Sequence, residues 1–358
     1  MVNNDNFRTV EPYIPGDQPD FADMVKLNTN ENPYPPSPAV AEAAKGFNCD
    51  TLRLYPPVDS GRLKSAIAAY HGVDRDCVFT GVGSDDVLAV IFQSCFNSGR
   101  RILFPEISYS FYEVWADMFR VPFTKVPLRE DFTIEPDDYI PLGRDAANGG
   151  VIICNPNAPT SIAMPLESIE RIVAANQGSI VVVDEAYVDF GAETAMPLLK
   201  EYDNLIVVRT FSKSRSMAGV RIGYAVASPV IIQAMDSIKN SMNSYTMNRP
   251  AIELGCASLG DEPYFREQVD RIMATRQRMI TELDALGFTT LPSSANFIFT
   301  THETIPARDI FAQLKEKHIF VRYFPKPGID NFLRITVGTE EQTDILIREM
   351  KEITQKVI

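Results

Sequence analysis

Short runs of uninterrupted apolar residues recur through the middle of the chain, and several are followed by stretches whose apolar positions have helical spacing. The runs lie at 77–80, 101–104, 150–154, 179–184 and 205–208. Segments 63–70, 109–118 and 166–175 carry apolar residues three and four apart, as a helix with one buried face does. Strands without polar alternation are buried on both faces, so the pattern predicts a mostly parallel sheet covered by helices on either side. Segment 221–227 returns too soon after 205–208 for a helical crossover and is predicted to pair antiparallel.

The pattern changes near residue 240, where 240–248 forms a polar joint. Phe265, Val269, Ile272, Met279, Leu283 and Leu286 then mark a long helix that Gly287 stops. Beyond it the spacing predicts a strand at 296–299, a helix at 307–317, strands at 319–322 and 332–337, and a last helix opened by a Thr339/Gln342 capping box. This mixture describes a smaller α+β domain. Residues 1 to about 38 are so dense in proline that regular helix or central strand is forbidden. Such an arm lies over its own site or a neighbouring subunit, or is a disordered tail; residues 2–7 fit either, and order is expected from Pro12 onward. The expected division is 1–47 for the arm and the first part of the small domain, 48–245 for the large domain, and 246–358 for the small C-terminal domain.

Length and charge narrow the partners. At 358 residues the chain is long enough for about two domains and a closed site. Its 47 acidic and 34 basic residues give a net charge of -13, which repels nucleic acid and anionic membranes, so any bound phosphate needs a local pocket of amides and arginines. Five cysteines without a Cys-x-x-Cys pair fit reduced thiols in the cytoplasm, and three scattered histidines give no zinc pattern. The start, Met1 to Arg8, lacks the features of a signal peptide, and no apolar run is long enough to span a membrane. A cytoplasmic protein is expected.

The ends of the predicted strands carry the candidate chemistry, because open α/β sheets place ligands at strand carboxyl ends. Lys213 follows 205–208 within Thr210-Phe-Ser-Lys-Ser-Arg-Ser, with Arg221 eight residues beyond. A hydroxyl-rich turn with a surface lysine reads equally as ordinary loop chemistry. Asp184 ends its strand as a helix cap or as a charge placed for a ligand, and Asn157 is presented by a proline-braced turn. Ser84 is a good N-cap, with Asp85 and Asp86 in the first turn; the same helix start could cradle a phosphate. An amine, a carboxylate, an amide, an aromatic ring and an anion pocket together suit pyridoxal 5'-phosphate, whose aldehyde a lysine bonds and whose ring nitrogen an aspartate keeps protonated.

These phrases, in order, are Asn30-Glu-Asn-Pro33, Leu54-Tyr-Pro56, Gly83-Ser-Asp85, Asn155-Pro-Asn157, Asp184-Glu-Ala-Tyr187, Ser212-Lys213, Ala218-Gly-Val-Arg-Ile-Gly223 and Leu333-Arg-Ile-Thr-Val-Gly338. With them the chain resembles the histidinol-phosphate aminotransferases, members of the fold type I pyridoxal-phosphate enzymes, from about Pro12 to its end. The resemblance implies an aspartate-aminotransferase-like α/β architecture: a large domain with a mostly parallel seven-stranded sheet sandwiched by helices, plus a smaller α+β domain. It implies that Lys213 is the Schiff-base lysine and Asp184 the pyridinium partner. Asn157 and Tyr187 would hold the ring's phenolic oxygen, and Tyr109 would stack on its face. Ser84, Asp85, Thr210, Ser212 and Arg221 would complete the cofactor and phosphate site. Lys213, Asp184 and Tyr187 form the implied catalytic set. Tyr55 would reach the cofactor of the other subunit, which implies a homodimer with shared sites. Arg322 and Arg334 look like the family's anion binders, with Tyr13 and Asn32 beside the substrate; arginine's planar fork suits phosphate and carboxylate alike.

Departures from the family's phrases are Ala158 and Ser161 in the turn that carries Asn157, Val82 for a usual asparagine, and Asp86 where glutamate is commoner. None removes a cofactor contact, but the turn could redirect substrate choice. The expected reaction converts histidinol phosphate and 2-oxoglutarate to imidazole-acetol phosphate and glutamate. Alternatives are an aromatic or broad-specificity aminotransferase, a phosphothreonine decarboxylase, and a non-catalytic cofactor-binding protein.

Overall fold

The computed structural model describes residues 7–18, 23–140 and 148–355; of the segment read as arm or tail, residues 2–6 lie outside these. Strand Val25–Lys26 (β1) and helices Pro38–Lys45 (α1) and Gly61–His71 (α2) come first, then strand Val78–Gly81 (β2) and helix Ser84–Cys95 (α3). They are followed by Ile102–Pro105 (β3), Phe111–Phe119 (α4), Phe123–Val126 (β4), Gly150–Cys154 (β5), Leu166–Ala175 (α5), Val181–Asp184 (β6), Leu205–Thr210 (β7) and Gly223–Ala227 (β8). The remainder comprises Pro229–Met242 (α6), Arg249–Leu259 (α7), Glu262–Asp284 (α8), Phe288–Thr290 (β9), Phe297–His302 (β10), Ala307–Glu316 (α9), Ile319–Phe320 (β11), Arg322–Tyr323 (β12), Leu333–Thr336 (β13) and Glu340–Gln355 (α10).

Seven strands form the main sheet in the order β2-β8-β7-β6-β5-β3-β4. Neighbours among β3 to β7 run parallel, whereas β8 is antiparallel to both β7 and β2. The α/β class with a mostly parallel sheet and an antiparallel return is therefore as the apolar runs foretold. All residues of β5, β6 and β7 are buried, which explains their lack of polar alternation. Register aligns Cys154 with Asp184 and Asp184 with Val208, so the segments leaving β5, β6 and β7 emerge side by side.

Two glycines bring the next wall close. Gly223 lies opposite Gly81 on one side and Thr210 on the other. A Cβ there would stand 2.2 Å from the carbonyl carbon of Gly83 and 2.3 Å from the amide of Ser84, so only glycine lets β8 press against the turn into α3. Gly83 itself has φ 87°, and a Cβ on it would meet Arg221 Nη2 at 2.4 Å.

The smaller sheet runs β12-β13-β10-β9. The strand expected at 319–322 divides at the buried Val321. β11 pairs in parallel with β1, where the amide of Leu27 donates to the carbonyl of Phe320 at 2.7 Å, and β12 turns to join β13. The polar joint lies between α6 and α7, and α7 sits with the main sheet: Ala251, Ile252 and Leu259 share a core with Leu63, Val78 and Phe211. Strands β4 and β9 escape the apolar pattern because each is half open to solvent. Ser84 is the first residue of α3 and not its cap; Gly83 holds the cap position, and Asp86 Oδ2 accepts the amide of Val82 at 2.8 Å.

Candidate active site

Lys213 leaves the end of β7 half-buried and donates from Nζ to the carbonyl of Thr29 at 3.1 Å. Burial, then the positive charge of Arg334, pull its pKa down to about 8. Tyr187 lies beneath it, with Nζ 5.8 Å from the ring centroid. Behind the lysine loop, Ser214 Oγ donates to Asp189 at 2.6 Å, and Asp189 pairs with the buried Arg209, which also holds Glu185 at 3.0 Å. That ionic layer fixes the backbone on either side of Lys213.

Asp184 ends β6 almost fully buried. Its Oδ2 accepts from the phenol of Tyr112 at 2.7 Å and its Oδ1 from the amide of Ala186 at 3.2 Å. Burial raises its pKa to about 6. Among the described residues no cation pairs with it. A buried carboxylate left without a counter-ion is costly unless a ligand supplies one, and a protonated pyridine nitrogen has the required charge.

The opposite wall suits an anion. Among the described residues no side chain caps α3, whose start faces Arg221 across the close approach made by Gly83 and Gly223. Arg221 Nη2 lies 3.4 Å from Asp85 Oδ2, and Tyr109 donates to Asp85 Oδ1 at 2.8 Å. Thr210 Oγ1 accepts the amide of Ser212 at 3.1 Å and stands 3.0 Å from its Oγ. Open amides, a guanidinium and a hydroxyl make a phosphate cradle. The residues present thus fit a phosphorylated pyridine aldehyde.

Lys213, Asp184, Tyr187, Tyr109, Thr210, Ser212, Arg221, Ser84 and Asp85 are brought to this one mouth of the sheet by the strand ends that carry them. Asn157 arrives there with its amide engaged: it donates to the Ile107 carbonyl and to Thr160 Oγ1, both at 2.9 Å, and accepts from Ser108 at 2.8 Å. Ser161, in place of a usual glycine, takes φ 65° and keeps the turn's shape through its amide bond to the Asn157 carbonyl at 2.8 Å. Asn32 holds the loop itself, donating to the carbonyls of Lys213 at 3.1 Å and Ser214 at 3.2 Å. Tyr13 stacks on Phe111 at 4.3 Å and lies 6.4 Å from Tyr109, so the arm covers the site of its own chain. Arg322 grips that arm, donating to the carbonyls of Ile14 at 3.0 Å and Pro15 at 3.2 Å. Arg334 is bonded to the carbonyl of Asn28 at 2.9 Å, and its buried Nε has no partner among the described residues. Tyr55 does not join this mouth: it is 76% exposed and stacks on Tyr245 at 4.5 Å.

Two residues were not singled out by sequence reasoning. Asn30, φ 54°, donates to the hydroxyl of Tyr187 at 3.0 Å and accepts from Thr336 at 3.1 Å, joining the two sheets beneath the lysine. It lies within the Asn-Glu-Asn-Pro phrase, which was signal enough for a closer look. Tyr112 has no such signal, since a tyrosine on an apolar helix face reads as core.

The family model described as "Aminotransferase class I and II" matches residues 22–350. A relative named histidinol-phosphate aminotransferase, from Aromatoleum aromaticum, is 51% identical over 342 residues, covering 96% of each chain. Another, histidinol-phosphate aminotransferase 1 of Bordetella parapertussis, is 51% identical over 345 residues and 96% of each chain. The crystal structure of histidinol-phosphate aminotransferase from Sinorhizobium meliloti in complex with pyridoxal-5'-phosphate superposes with a TM-score of 0.86 at 24% identity, covering 94% of this chain and 92% of that one.

Proposed function

Because the chain belongs to the class I and II aminotransferases, we propose that it transfers the amino group of histidinol phosphate to 2-oxoglutarate, with pyridoxal 5'-phosphate held by the residues grouped around Lys213. The observation that carries this reading is the buried carboxylate of Asp184, without a counter-ion among the described residues, at the same mouth as a lysine whose amine is partly neutral at pH 8. When bound, the cofactor supplies an aldehyde for the amine and an electron-poor ring that spreads charge as the substrate Cα loses its proton.

The chain's own groups do the rest. Asp184 holds the proton on the ring nitrogen. Ser212, Arg221 and the α3 amides hold the phosphate, while Tyr109 covers the ring. Tyr187 accepts from Asn30, which leaves its own hydroxyl proton free for the ring's phenolic oxygen. Lys213 is the chain's own group that would bond the cofactor's aldehyde and, when its Nζ is free, would accept the proton from the substrate Cα. Arg334, whose buried Nε has no partner among the described residues, and Arg322 at the arm would bind the substrate phosphate in one half-reaction and a carboxylate of glutamate in the other. Tyr13 and the arm would exclude water.

We further read the enzyme as a cytoplasmic homodimer. Leu52, Leu54 and Tyr55, neighbours in the chain, are 57%, 47% and 76% exposed, apolar surface that a second copy would cover while Tyr55 reaches the neighbouring site. Residues 48–245 would be the large domain, extended past the expected boundary by α7, whose Ala251, Ile252 and Leu259 share the main sheet's core, and the chain beyond α7 would be the small one, with the arm and 1–47 beginning the latter.

Comparing kcat/KM for histidinol phosphate and for phenylalanine, with 2-oxoglutarate as acceptor, tests the substrate. A preference for histidinol phosphate of about a hundredfold or more is expected from the charged contacts an arginine pair provides. Equal values would select a broad-specificity enzyme, and carbon dioxide release from phosphothreonine without a keto acid would select a decarboxylase. Lys213→Ala should lose both turnover and the visible absorbance of the bound cofactor; normal turnover would overturn the role of the lysine.

A further inference from the structure

Asp184 must be an anion to serve a pyridinium, yet its surroundings favour the neutral acid. It is 3% exposed, and burial is the largest influence on it. Asp85 from α3 and its chain neighbour Glu185 add negative charge, while the thiol of Cys154 on β5 and the phenol of Tyr187 stand near without a positive charge to offer. The single side-chain donor among these surroundings is the phenol of Tyr112, at 2.7 Å from Oδ2. Tyr112 is fully buried on α4, its ring held by Phe104 at 5.9 Å, Tyr109 at 5.6 Å and Trp115 at 6.4 Å, so its hydroxyl cannot swing away.

We propose that Tyr112 is a positioning residue for the reaction: through its hydrogen bond it fixes the carboxyl of Asp184 and keeps that group ionised for the ring nitrogen of the cofactor. The inference rests on the cofactor assignment made above. A donor to a carboxylate stabilises the charged form, and in a buried site no solvent replaces it. Tyr112 touches neither cofactor nor substrate in this role; it acts through Asp184. With the phenol gone, Asp184 keeps only the Ala186 amide.

The test uses the cofactor-free protein and 4-deoxypyridoxine 5'-phosphate, which has the ring and phosphate but no aldehyde, so that Lys213 forms no bond with it. Binding is read from the fluorescence of Trp115, the only tryptophan in the chain. Ring protonation is read from the probe's ultraviolet band. Tyr112→Phe, which keeps the ring and removes only the hydroxyl, should bind about tenfold more weakly at neutral pH, as expected for a charged hydrogen bond removed. The pH midpoint at which the site acquires its affinity should rise by about one unit. Tyr139→Phe is the control, because Tyr139 is equally buried and its hydroxyl has no partner among the described residues; it should bind like wild type. In the loaded enzyme Tyr112→Phe should lower kcat at neutral pH, leave KM for the amino donor unchanged, and recover as pH rises. Affinity within twofold of wild type with an unmoved midpoint would overturn the proposal. Failure of the wild-type protein to bind the probe would instead overturn the cofactor assignment.

Discussion

Lys213 and Asp184 are both displaced from their ordinary acid–base ranges by burial, in directions that have opposite consequences with pH. The lysine is lowered to about 8, so between that pH and about 10.5 the unfolded chain holds a proton that the folded one has released. Stability attributable to it therefore rises with pH across that window. Capture of pyridoxal phosphate by the cofactor-free protein should also accelerate up to a plateau above pH 8, measured by stopped-flow absorbance; a rate flat from pH 6.5 to 9 would contradict it. Asp184 is raised to about 6, so between about pH 4 and 6 the folded state keeps a proton that the unfolded state has lost. Its contribution thus falls as pH rises through that window. The Tm of the cofactor-free wild type relative to Asp184→Asn should drop from pH 4 to pH 6.5, and a constant difference would show the carboxyl to be unperturbed. Both residues were legible as candidates because each follows an apolar run; their protonation was not, since it depends on Arg334 and Tyr112 from other parts of the chain.

Elements rather than single residues hold the site open. β8 approaches the turn before α3 closely enough that Gly223→Ala would place a methyl group 2.2 Å from backbone, where nothing can yield as a side chain would. Overpacking of this kind costs about 1–3 kcal/mol. We expect that loss in urea unfolding together with weaker cofactor binding, because the displaced turn is the proposed phosphate cradle. Unchanged affinity would separate the turn from the phosphate. On the other side of the lysine loop, Arg209 on β7 holds Glu185 and Asp189, which follow β6. Arg209→Met would leave the buried Glu185 and the half-buried Asp189 without their cation, a loss of about 3–5 kcal/mol by equilibrium unfolding. The repeating strands and helices around these contacts were readable from apolar spacing. The antiparallel return of β8 was readable too, from the short connection. The division of 319–322 between two sheets was not, because β1, which captures β11, lies almost three hundred residues earlier in the chain.

For the whole molecule the open question is assembly, and the exposed surface of Leu52, Leu54 and Tyr55 gives it a direct test. Sedimentation should give a dimer at micromolar concentration. Tyr55→Asp should shift it toward monomer and cut activity at least tenfold, since a charge buried in an interface opposes association. A monomeric, fully active wild type would end the shared-site reading. The sequence by itself determined the α/β class, the parallel core and the residue types at the strand ends, because alternating periods and turn chemistry are local properties of the chain. Tertiary structure alone decided how Arg322 grips the arm and how Asn30 joins Tyr187 to Thr336. It also decided that Tyr112 rather than a cation meets Asp184. Those contacts span from tens to hundreds of residues, and no local pattern records which side chain will complete a buried hydrogen bond.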